Sequence, residues 1–171
     1  MANMIPISTV TVGSGGASSI DFTNIPQIYT DLIIKISLRS SWANTQDRLY
    51  LKFNGVTTSY TMRYVGNAAG SAVSYTEASY GNNFAGYIDA DSNTSNTFSN
   101  IEYYIPNYAG SNYKSGSFDA TMEDNSTTQY MGLGAFLWSN TSPITSIGLY
   151  PTTGPNLKQY SSATLYGIRK Y

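Results

Sequence analysis

Residues 31–39 read Asp-Leu-Ile-Ile-Lys-Ile-Ser-Leu-Arg. In an extended chain successive side chains point to opposite faces, so Leu32, Ile34, Ile36 and Leu38 share one side. Lys35, Ser37 and Arg39 take the other. Such alternation marks a strand with one dry and one wet face, the usual state of antiparallel sheets. The pattern returns at 48–53, with Leu49, Leu51 and Phe53 inward and Arg48, Tyr50 and Lys52 outward. It returns again where Ile101, Tyr103 and Ile105 alternate with Glu102 and Tyr104, and along Phe118, Ala120 and Met122.

Other segments read as strands with less definite facing: 5–12, 17–24, 59–65, 72–78, 84–89, 129–138, 144–150 and 161–168. Turn residues separate them, at Gly13-Ser14-Gly15-Gly16, Asn54-Gly55, Gly66-Asn67, Gly81-Asn82-Asn83 and Pro151 to Pro155. Asn54-Gly55 suits a tight hairpin, because both residues tolerate positive φ. No apolar period of 3.6 persists for ten residues. Many short strands at turn-marked spacing predict an all-β fold, an antiparallel β-sandwich of jelly-roll type. Residues 1–171 form one domain, with 1–12 a candidate docking or strand-exchange arm. The polar stretch 89–100 reads as a long surface loop, and the Gly-, Ala- and Ser-rich stretch 64–83 as a loop-like contact arm.

Composition narrows the function. Only 11% of the 171 residues are charged, against about 25% in ordinary soluble proteins, yet the mean hydropathy is -0.24. Polarity therefore comes from Ser, Thr, Asn, Gly and 16 Tyr. A net charge of -1 with scattered cations offers no stripe for counterion release, which argues against nucleic acid. No stretch approaches the ~18–20 apolar residues of a membrane span, and the start, Met1 to Pro6, lacks the features of a signal peptide. Cys is absent, so stability must come from packing. A hydroxyl-rich outer surface without a secretion signal or cystines suits a particle component made in a bacterial cytoplasm and released by lysis, and fits a Tyr-rich cytosolic binding domain less well.

Absence of His and Cys removes the usual triads, His-based zinc sites and the commonest general acid–base group. Asp89 with Asp91 and Glu123 with Asp124 are the remaining carboxylate pairs, and both read as turn residues rather than as the facing acids of a glycosidase. Asp89-x-Asp91-x-Asn93 opens like a calcium loop, but Thr94 stands where the sharp-turn Gly belongs and Asn100 where the bidentate acid belongs. Gly132-x-Gly134 lacks the longer pattern and following helix of a phosphate loop. It reads instead as a strand to whose backbone a ring or a second chain comes close. No catalytic residue, metal site or cofactor is expected. Contact residues are: Trp42, between two clear strands, and Tyr60, Tyr64, Tyr75, Tyr80 and Tyr87 are candidates for interface or glycan contact, since their rings join an apolar face to a polar edge.

The segments Ile25 to Leu32 with IIKISLRSS (33–41), LYLKFNG (49–55), IEYYIPNYAG (101–110) with Lys114, GLGAFLWSNTSPITSIGLYP (132–151) and ATLYGI (163–168) together resemble small β-rich virion proteins of tailed bacteriophages, particularly phages of aquatic bacteria. The resemblance runs from about residue 18 to 168. It implies a jelly-roll-like sandwich on the virion exterior, as head decoration or cement protein, or as a short fibre-type protein. It also implies a homo-oligomer, with a trimer suspected, and partners among capsid or tail proteins. It supplies no catalytic residues. The alternative is a receptor- or glycan-binding domain at a tail or fibre tip.

Overall fold

Leu32, Ile34, Ile36 and Leu38 are almost wholly withdrawn from solvent on β3 (Asp31–Leu38), which lies inside a large sheet. The computed structural model describes residues 3–77, 83–125 and 129–169. In chain order the other strands are β1 (Asn3–Thr11), β2 (Ile20–Phe22), β4 (Gln46–Phe53), β5 (Tyr60–Ala68), β6 (Ser71–Glu77), β7 (Asn83–Asp89), β8 (Ser99–Pro106), β9 (Lys114–Met122), β10 (Tyr130–Trp138), β11 (Ile147–Pro151) and β12 (Ser162–Arg169). One sheet has eight strands in the order β1-β12-β3-β8-β9-β10-β5-β6, and the other has four in the order β2-β11-β4-β7. Their ladders are antiparallel. The antiparallel sandwich expected from the alternation is present, and the inward and outward assignments on β3, β4, β8 and β9 hold from residue to residue.

Between the sheets the core is a run of rings. Trp138 stacks on Tyr60 at 6.0 Å and meets Phe53 edge-on at 5.5 Å. Phe136 faces Tyr103 at 4.6 Å, and Tyr103 in turn lies parallel to Phe118 at 5.7 Å. Tyr64 and Phe84 continue the series. Buried phenols need partners for their hydroxyls. Tyr60 accepts from the Phe53 amide at 2.9 Å and donates to the Val56 carbonyl at 3.1 Å, while Tyr103 donates to Asn83 Oδ1 at 2.7 Å.

The glycines of β10 make room for this series. A Cβ on Gly132 would run into the Tyr64 ring, and one on Gly134 into Phe118. This is the close ring-to-backbone approach that Gly132-x-Gly134 suggests. A Gly134→Ala protein is expected to lose about 1–3 kcal/mol of stability through overpacking, measured by urea denaturation. An unchanged midpoint would mean that Phe118 can tilt away freely.

Turns differ in detail from the sequence reading. Asn54 and Gly55 both have positive φ, at 51° and 73°, and close a tight turn with the Val56 amide donating to the Phe53 carbonyl at 2.9 Å. The chain then crosses to the other sheet instead of returning along β4. Asn54 Oδ1 is occupied by the Thr145 and Ser146 amides, which ties the turn to the approach to β11. Residues 64–77 are not a loop-like arm: β5 and β6 form a hairpin at the sheet edge. Its turn sits at Ala69-Gly70, with φ of 51° and 85°, and not at Gly66-Asn67. The Asn67 carboxamide oxygen accepts from the Gly70 amide at 3.0 Å. Residues 78–82 of the expected arm lie outside the described residues. The N-terminal segment, an expected exchange arm, pairs along β1 with β12 of its own chain.

Candidate contact surfaces

The residues singled out for contact separate into two groups. Tyr60 and Tyr64 are core residues, 2% and 3% exposed. The correction has a simple cause: both lie at inward positions of β5, where the alternation Tyr60, Met62, Tyr64 faces the opposite sheet. Tyr80 lies outside the described residues. Trp42, Tyr75 and Tyr87, by contrast, come together on one side of the molecule.

Trp42 sits half-buried in the connection from β3 to β4. Its amide donates to Ser40 Oγ, and its carbonyl accepts from the amides of Asn44 and Asp91, both at 2.8 Å. These bonds fix the backbone of an otherwise irregular segment. Trp42 and Tyr87 wall a cleft of about 320 Å³, together with Tyr50 and Arg48. Gln46, Asp47, Thr152 and Thr153 complete it. Tyr87 is held from three directions, by Phe84 at 5.3 Å, Tyr130 at 4.4 Å and the Arg48 guanidinium at 6.0 Å. Burial pushes its phenol pKa up, and the Arg48 charge opposes the rise. Arg48 and Tyr87 also form one wall of a smaller hollow, about 90 Å³, lined by Met62, Phe84 and Tyr75. Tyr75 is 39% exposed and stacks on Tyr64 at 5.9 Å. A buried core ring therefore supports the exposed one.

Asp47 was not singled out from the sequence, yet it shapes the cleft. It is 1% exposed, and its carboxylate accepts from the Arg48, Thr153 and Gly154 amides at 2.7, 3.2 and 2.8 Å. The bonds draw the segment after β11 against the end of β4. An Asp in an inward phase among Leu49, Leu51 and Phe53 was the available signal, because a carboxylate there must be compensated.

A second surface lies on the outer face of the larger sheet. Leu133, Val65 and Met131 are 63%, 59% and 55% exposed. Leu133 is directly opposite Val65 across the β10–β5 ladder and opposite Asp119 on β9. Exposed Ser117 and Thr121, the half-buried Asn67 and the charged Arg63 and Asp119 stand around these three. Cross-strand neighbours of this kind form one contiguous patch.

The 89–100 stretch is not a plain solvated loop. Arg39, expected on the wet side of its strand, is 4% exposed. The strand ends at Leu38, and Arg39 turns under the loop that follows β7. Its guanidinium donates to the carbonyls of Asn93, Thr94 and Thr97 at 2.9, 2.7 and 3.0 Å. Asp89, fully buried, accepts from Asn93 Nδ2 at 2.5 Å, Thr97 Oγ1 at 3.1 Å and Ser99 Oγ at 2.8 Å. Burial raises the Asp89 pKa against those hydroxyl donors. Asp91 points elsewhere, pairing with Lys158 at the surface. The two acids of the Asp89-x-Asp91 pair thus do not face a shared space. Glu123 accepts from the Asn125 amide, and the Asp124 carbonyl accepts from Thr94 Oγ1. Among the described residues no group of three or more His, Cys, Asp or Glu side chains is placed to hold a metal ion. A second buried cation, Lys114, donates to the carbonyls of Gly110 and Asn112 at 2.8 and 2.5 Å.

Comparison of the chain with protein-family models, with curated proteins and with solved structures returns no match.

Proposed function

We propose that this chain is a non-enzymatic structural protein of a phage virion, displayed on the particle exterior as a head decoration or short fibre-type protein that makes oligomeric contacts. The jelly-roll likeness and a trimeric state belong to the same proposal. The observation that carries it is the Val65–Met131–Leu133 patch on the outer face of the eight-stranded sheet. An apolar centre with a polar rim is the anatomy of a protein interface, and an exposed apolar cluster on a sheet face marks interaction. Obligate assemblies of this kind bury on the order of 2,000 Å² or more, which the face of an eight-stranded sheet can supply.

Sedimentation velocity tests the reading. The wild-type chain is expected to run as an oligomer and to bind emptied capsids or tails. A Leu133→Glu protein, with a charge placed in the middle of the patch, is expected to fall to the monomer. A wild-type monomer that binds neither particle component would refute the proposal. The cleft beside Trp42 favours a second reading, recognition of a surface glycan.

A further inference from the structure

The geometry points to the Trp42–Tyr87 cleft as a binding site for an unbranched chain of neutral pyranose sugars. This inference rests on the glycan reading of the loop aromatics. A pyranose has apolar C–H faces and an edge of hydroxyls that both donate and accept. The cleft has matching parts. Trp42, Tyr50 and Tyr87 offer ring surface, while Arg48 and Gln46 offer side-chain donors and Thr152 and Thr153 exposed hydroxyls. Asp47 lies beneath the cleft, 1% exposed, and its carboxylate holds the Thr153 and Gly154 amides that shape the floor.

Charge decides the class of sugar. The cleft is lined by one cation, Arg48, and one anion, Asp47, so their formal charges cancel. A carboxylate or sulfate ligand drawn to Arg48 would also meet the negative charge of Asp47 beneath the cleft. A neutral sugar does not meet that penalty. Its volume of about 320 Å³ is at the lower end of small-molecule sites, roughly 300–1,000 Å³.

Two hollows, not one, argue for a chain of sugars. The smaller hollow shares the Arg48–Tyr87 wall with the cleft and ends at Tyr75. One unit seated against Trp42 would place its neighbour across that wall, over a Tyr75 ring already stacked on Tyr64. Pre-formed ring platforms lower the ordering cost of binding.

The full chain carries its own reporter. Trp138 is wholly buried and Trp42 is half-buried in the cleft, so a ligand-dependent change in tryptophan fluorescence reads Trp42. The probes are glucose, galactose and mannose, their unbranched tetrasaccharides, and an oligogalacturonate as the acidic arm. Saturation-transfer NMR serves as a second measurement that does not need Trp42. At least one neutral tetrasaccharide is expected to bind at least about tenfold tighter than its monosaccharide. Trp42→Ala is expected to weaken that binding at least about tenfold, and Tyr75→Ala to reduce the tetrasaccharide to the affinity of the single sugar. Lys35→Met, whose side chain pairs with Glu102 and lines neither hollow, should leave sugar binding unchanged. No response to any neutral sugar at concentrations on the order of 10 mM overturns the site, as does binding of the acidic oligomer alone or binding indifferent to Trp42→Ala. If Leu133→Glu dissociates an oligomer while no sugar binds, the contact reading stands and the sugar site falls. A sugar-binding monomer gives the converse.

Discussion

An Arg39→Met protein is expected to lose about 3–5 kcal/mol of folding free energy, the usual consequence of removing one member of a buried charged network. The guanidinium donates to three loop carbonyls and to Thr97 Oγ1, all within 3.1 Å, and methionine replaces its bulk but none of its donors. The carbonyls of Asn93 and Thr97 then lose this donor, that of Thr94 keeps only Thr97, and Asp89 loses the nearby positive charge that offsets its desolvation. Each orphaned group costs roughly 1–3 kcal/mol unless water reaches it. Arg39→Lys, which keeps the charge without the planar fork, should fall between the two. Urea denaturation measures the loss, and amide exchange over 91–97 should quicken in the variant before the sheets open. Lys35→Met is the control, because the Lys35–Glu102 pair is largely exposed and worth at most about 1 kcal/mol. A change of similar size in both proteins would show that the Arg39 network contributes little.

The second large effect is alkaline. Burial pushes the Tyr64 phenol up to about 12 and raises those of Tyr60 and Tyr103 well above the ordinary range, whereas the unfolded chain releases such protons near pH 10. Above that pH the unfolded state holds fewer protons than the folded one, so stability falls as pH rises. It is fully retained below it. Each phenol contributes up to about 1.4 kcal/mol per pH unit, so the three together approach ~4 kcal/mol per unit between pH 10 and 12. Denaturation midpoints should be flat from neutral pH to about 9 and then drop steeply. Tyrosinate absorbance for these three rings should appear together with unfolding. Tyr103→Phe should remove about a third of the slope. Smooth ionisation of all tyrosines in a still-folded protein would contradict the burial argument.

The fold could be read where Leu and Ile alternate with charged residues, as in β3, β4 and β8. The period of two reports facing directly there. Tyrosine carries no such information, because it suits either side of a strand. Tyr60 and Tyr64 therefore looked like Tyr75 and Tyr87, and only the phase set by Met62 distinguishes inward from outward. Residues 64–77 hid a hairpin because Gly66 and the small residues after it weaken the strand pattern. Gly66 is needed at its position, where a Cβ would strike the Met131 carbonyl of the adjoining strand. Arg39 shows a different limit. Alternation predicts the face a side chain takes, and it cannot tell that a loop more than fifty residues later will be laid over that face. The cleft was half-legible: Trp42 and Tyr87 were found as aromatics, while Asp47 and the threonines after β11 joined them only through tertiary pairing.

The buried cations Arg39 and Lys114 set how their loops respond to the salt around the protein. Loops rich in carbonyl oxygens are commonly gathered around a dissolved ion, and their order then varies with the ion's concentration. Arg39 and Lys114 gather theirs with charges covalently tethered to the chain. Such a clamp is not lost on dilution or removed by a chelator, and its local concentration is fixed by the backbone. The loops over Arg39 and beside Lys114 should keep one shape in fresh water and in brine alike.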